Sequence, residues 1–237
     1  WGRVMGHDAA WMRAINAEAV DFAADFRARN EDAALPIILN GVIGPSGDGY
    51  TLEAALDGQT ALARHIVQAE ALAGAGADML SAITMTHSGE GIGVTLAARA
   101  VGLPVVVSFT VETDGRLPSG ETLAEAIAAT DAATGATTGG GPLYYMVNCA
   151  HPTHFAGALA GDWTARIGGV RANASRMSHA ELDAATELDA GDPAEFGTLY
   201  GDLADLLPKL RVIGGCCGSD HRHVGEAAGH VHARVAA

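Results

Sequence analysis

The chain is 237 residues long, 49% apolar and 18% charged, enough to bury one sizeable core and too hydrophobic for a chain disordered by its composition. Fourteen basic residues against 28 acidic ones give a formal charge of −14, and Lys209 is the single lysine, so no basic stripe is present to release counterions from DNA, RNA or an anionic membrane. No apolar run reaches the roughly 20 residues of a membrane span, and no charged-then-apolar leader opens the chain; the composition predicts a cytoplasmic globular protein with neither nucleic-acid nor membrane partners.

In chain order, a helical pattern over 10–30 precedes a strand run at 36–41, which ends in Gly44-Pro45-Ser46-Gly47-Asp48. A helix at 58–74 leads to a strand at 78–83 and the tip Thr84-Met85-Thr86-His87. The next helix, 89–101, leads to a strand at 104–110 and Glu112-Thr113-Asp114-Gly115, and a helix at 121–134 leads to a strand at 143–148 and Cys149-Ala150-His151-Pro152. A strand at 166–171 ends in Asn173-Ala174-Ser175; a helix at 193–206 leads to a strand at 211–214 and Cys216-Cys217-Gly218, and a helix over 220–236 follows. Such alternation predicts one domain, 1–237, of parallel strands with right-handed crossovers, either an open doubly wound sheet or a (β/α)8 TIM barrel. Polar tips after nearly every strand favour the barrel, whose tips converge on one face. Six strand–helix units are two short of closure. With Trp1 running almost at once into a helix, the chain reads as a fragment lacking the first two units, whose unpaired edges favour a homo-oligomer.

All three cysteines, Cys149, Cys216 and Cys217, follow strand runs. An odd number with an adjacent pair is a poor disulfide framework. Three thiolates brought together would bind zinc and leave one tetrahedral position open, as catalytic sites do. Gly214, Gly215 and Gly218 would let neighbouring cysteines aim at one ion. The competing reading is that free cysteines are small buried hydrophobes, and spacing alone leaves both open.

Gly214-Gly215-Cys216-Cys217-Gly218-Ser219-Asp220, with His223-Val224 behind it, resembles the C-terminal Gly-Gly-Cys-Cys-Gly motif of the homocysteine S-methyltransferases. Val147-Asn148-Cys149 resembles that family's strand-end Asn-Cys motif. The looser matches are residues 41–47, similar to its Gly-Pro-x-Gly loop, and Asn173-Ala174-Ser175, where the family has an Asn after its seventh strand. The resemblance covers residues 36–237. It implies a zinc-dependent barrel that moves a methyl group from a donor onto the sulfur of homocysteine, giving methionine. Cys149, Cys216 and Cys217 would hold the zinc, and Thr84, Asn148 and Asn173 would meet the substrate.

The chain departs from the family in two places. No Asp-Gly-Gly strand opens it, and Ile83 stands where most members carry a Glu that binds the substrate amine. Glu112 is the expected replacement, with Asp114 beside it; a solvated turn is the simpler reading of each. The departures motivate two rivals: an enzyme of the same superfamily acting on a different thiol, and a non-catalytic zinc- or thiol-binding module. His87, His151, His154, His221 and His223 crowd the same face and are expected to support the site rather than ligate. Arg171, Arg176 and Arg222 lie near strand ends, where internal salt bridges are the default and a substrate carboxylate the alternative. Glu90 opens a helix, where the macrodipole favours it. The 44–49 loop lacks the Walker Lys-Ser/Thr pair and reads as a turn.

Overall fold

The computed structural model describes residues 2, 4–52 and 54–235. Six parallel strands, β1 (Asn40–Ile43), β2 (Met79–Met85), β3 (Val105–Phe109), β4 (Tyr145–Asn148), β5 (Ile167–Ala172) and β6 (Val212–Gly215), pair in strict chain order. A doubly wound sheet would reverse direction at a switch point; none exists here, and the sheet curls into a half-barrel flanked by helices. Among the described residues β1 pairs only with β2 and β6 only with β5, so two edges stay open.

The period of two along each strand sorts the residues onto two faces. Leu80, Ala82, Val107, Phe109, Val147 and Val170 point outward into the core beneath the helices. Met79, Ser81, Ile83, Met146, Arg171 and Val212 point inward and line a concave cavity of about 660 Å³.

The outer layer is α1 (Ala9–Asn30), α2 (Gly58–Gly74), α3 (Ser88–Val101), α4 (Leu123–Thr134), the short α5 (Pro152–Phe155) and α6 (His179–Ala184), then α7 (Pro193–Leu206) and α8 (His221–Val235). Their starts follow from capping chemistry. The Asp57 carboxylate accepts from the backbone of Gln59 and Thr60 at α2, Thr122 and Glu125 form a capping box at α4, and Asp192 caps α7 with Pro193 in the first turn. α3 lies hard against α2 because residue 93 is glycine: a Cβ there would stand 2.3 Å from that of Ala61.

The helices at 58–74 and 193–206 match the sequence reading; β1 does not. The strand begins at Asn40 rather than residue 36, because β2 starts at Met79 and the Leu39 N–H goes instead to the Asp78 carboxylate at 2.7 Å. The helices α5 and α6 were not foreseen, being too short to show a period. Among the described residues no helix is long and apolar enough to cross a membrane.

Candidate metal centre

The three cysteines converge where β4 and β6 end. Their Sγ atoms all lie within 4.8 Å of one another, the only such group of potential metal ligands among the described residues. Cys149 and Cys217 are 3.9 Å apart, Sγ to Sγ. Sulfurs sharing a tetrahedral zinc at 2.3 Å stand about 3.8 Å apart, so the spacing fits zinc and is far too long for a disulfide.

Cys149 takes its place by adopting a left-handed backbone, φ 55°, a conformation that costs a non-glycine residue about 1–3 kcal/mol. The surroundings hold it there. Its N–H donates to the Arg171 carbonyl at 3.2 Å, and its own carbonyl accepts from Asn173 Nδ2 at 3.0 Å and His179 Nε2 at 2.7 Å. On the other side, the Cys216 N–H donates to the Ala172 carbonyl at 2.8 Å, and the Cys217 carbonyl accepts from the Ala174 N–H at 3.0 Å. Gly218, at φ 78°, completes the turn; a Cβ there would meet the Asp189 carbonyl at 2.6 Å.

Asn173 joins the two loops. While its Nδ2 holds the Cys149 carbonyl, its Oδ1 accepts from the Cys217 N–H at 3.1 Å. Asn148 does similar work one strand over: its Oδ1 accepts from the Thr84 N–H at 2.9 Å and the Ser108 hydroxyl at 2.5 Å, and its Nδ2 donates to Thr84 Oγ1 at 2.7 Å. Thr84 also has a left-handed backbone, φ 63°, and sits at a register shift between β2 and β3. Thr84, Asn148 and Asn173, expected to meet substrate, thus bond to protein, the two asparagines through both ends of a buried amide.

Glu112 is not among the residues that line the cavity. Its Oε1 lies 2.7 Å from Nδ1 of buried His179, whose ring stacks on Tyr50 with centroids 4.1 Å apart. The Tyr50 hydroxyl in turn lies 3.8 Å from Cys217 Sγ. Neither His179 nor Tyr50 was singled out from the sequence, since both sit outside any motif; the one local signal was the Ser178…Glu181 capping box that begins α6 at His179.

The other histidines stay out of the metal group. His87 accepts from the Leu56 N–H, His151 bonds Thr153, His154 the Arg176 carbonyl, and His223 bonds Asp220 and the Ala190 carbonyl. His221 is exposed. Arg176 pairs with Glu195 and Arg222 with Asp220. Glu90 is buried and bonds His65 and the Ser46 N–H at the foot of the 44–49 loop.

The thiols share charge unevenly. Cys149 is pushed far above the usual thiol range by its bonds to Cys216 and Cys217 and by burial. Cys217, accepting from the other two, is held well below it. Three thiols this close cannot all ionise without a cation to neutralise them. Burial, and after it the neighbouring thiols, push the Tyr50 phenol up, so it stays a neutral donor beside the sulfurs.

The sequence profile described as homocysteine S-methyltransferase matches residues 4–231. Three solved structures of the homocysteine methyltransferase MmuM from Escherichia coli share the fold. The apo form superposes with a TM-score of 0.66 at 21% identity, covering 97% of this chain and 76% of that one. The metallated form gives 0.69 at 20% identity over 98% and 74%, and the oxidized form 0.70 at 20% over 96% and 74%. No curated protein sequence matches the chain.

Proposed function

The chain belongs to the homocysteine S-methyltransferase family and is a methyltransferase, and from that premise we propose that it methylates the sulfur of homocysteine on a zinc ion held by Cys149, Cys216 and Cys217. The observation that carries this reading is the convergence of three thiols, within 4.8 Å of one another, at the rim of a cavity of about 660 Å³ lined by Cys216. When bound, zinc would supply the charge that keeps a substrate thiol deprotonated at neutral pH.

The chain's own residues prepare that position. Cys149, Cys216 and Cys217 would supply three sulfur ligands to the ion. Asn173 fixes the separation of the two cysteine loops, and His179, anchored by Glu112, holds the Cys149 carbonyl. Tyr50 covers His179 and offers its hydroxyl to the sulfur cluster. Substrate sulfur attacks the methyl carbon of a sulfonium, ammonium or activated-nitrogen donor, and the leaving group departs with the electrons of its methyl bond.

Elemental analysis tests the site: the protein should carry about one zinc per chain, and Cys216→Ser or Cys217→Ser should lose most of it. Full retention of zinc in both variants would refute the assignment.

A further inference from the structure

Of the residues lining the cavity that Cys216 borders, only Arg171 and Asp220 carry charge. Asp220 is already spent: its carboxylate takes Arg222 at 2.8 Å and His223 Nδ1 at 3.0 Å. Arg171 is different. Its guanidinium makes no ion pair and no hydrogen bond with any described residue, although it is only partly exposed. It projects from the inner face of β5, in register with Asn148 on one side and Gly214 on the other. Because residue 214 has no side chain, the Arg171 stem lies across it; a Cβ there would come 3.4 Å from Arg171 Cγ.

A half-buried guanidinium with no partner is costly unless an anion meets it. The rest of the lining supplies neutral hydrogen-bonding groups, such as Asn40, Ser81 and Tyr144, and the apolar Ile83 and Met146. A carboxylate entering this cavity finds a planar cation suited to two parallel hydrogen bonds. An ammonium group finds no free counter-charge in the cavity lining, since Asp220 is taken by Arg222 and His223, and Glu112 is held on His179 and does not line the cavity.

We propose that Arg171 binds the carboxylate of the thiol substrate, and that the cavity selects thiols by this carboxylate rather than by an ammonium group. The proposal rests on the thiol-binding centre argued above and assigns the residue that chooses among thiols.

Calorimetric titration of the zinc-loaded chain with three thiols tests it: homocysteine, its deaminated analogue mercaptobutanoate, and its decarboxylated analogue aminopropanethiol. The first two should bind within about threefold of each other, and aminopropanethiol at least about tenfold more weakly. Arg171→Gln should weaken the two carboxylates by about tenfold or more and leave aminopropanethiol where it was. Arg171→Lys, which keeps the charge and loses the fork, should recover part of the difference. Zinc content and melting temperature, measured for each variant, show that the site is intact.

Aminopropanethiol binding as tightly as homocysteine, or an equal loss of all three thiols in a folded, zinc-replete Arg171→Gln protein, would overturn the proposal. Thiol binding unaffected by Cys217→Ser would overturn the zinc–thiol reading alone, with the Arg171 variants still deciding carboxylate selection. No binding of any thiol would overturn both.

Discussion

Asn173 is where the two halves of the cysteine site depend on one side chain. Its amide holds the Cys149 carbonyl and the Cys217 N–H, so Asn173→Ala should reduce zinc affinity by about 10–100-fold, measured by competition with a chelator. Unchanged affinity would mean that the loops are set by their backbones alone. Glu112 offers a second test at this scale. Since its carboxylate meets His179, Glu112→Gln should leave the ratio of affinities for homocysteine and mercaptobutanoate unchanged; a loss confined to homocysteine would return Glu112 to the substrate amine. The cysteines were legible because a vicinal pair flanked by glycines has little packing purpose. The roles of Asn148 and Asn173 were not, because a motif marks a position and cannot show that both ends of an amide are taken by backbone or neighbouring hydroxyls. Arg171 was legible only as a basic residue near a strand end, since its lack of a partner is a fact of three dimensions.

At the scale of elements, strand interiors were readable and strand ends were not. β3, buried at every position, shows as an unbroken apolar run. Ile37 and Ile38 look equally strand-like, yet the neighbouring strand begins too late to pair with them. The end of β2 was hidden for another reason: Thr84 turns left-handed because Asn148, 64 residues away, grips its N–H and hydroxyl. Glu90 shows what joins the outer elements. Lying at the start of α3, it bonds His65 on α2 and Ser46 in the loop after β1. Burial pushes its carboxyl up, but the bonds from His65 and Ser46 outweigh this and hold it below its ordinary value of 4.5. A carboxylate with a lowered folded pKa stabilises the fold at pH above the unfolded value, and that contribution is lost as pH falls through the folded one. Melting temperature should therefore drop on the acid side of about pH 4.5, and Glu90→Gln should flatten that drop while costing about 1.5–3 kcal/mol at neutral pH. An acid limb identical in the two proteins would remove Glu90 from the account of stability.

For the whole molecule, the half-barrel leaves apolar groups of its inner face uncovered. Ile38 is 64% and Val42 49% exposed beside the open edge of β1, and β6 offers a second unpaired edge. Unpaired edges with apolar neighbours invite pairing with another chain, so sedimentation should show association that grows with concentration; a single monomeric species throughout would show that the edges are protected. The cavity between the edges runs to Cys216. The most direct test of the three-cysteine centre is zinc X-ray absorption of the purified protein, before and after homocysteine. Three sulfur neighbours at about 2.3 Å should become four when the thiol is added. A first shell dominated by nitrogen or oxygen, or a sulfur count that stays the same with homocysteine present, would contradict it.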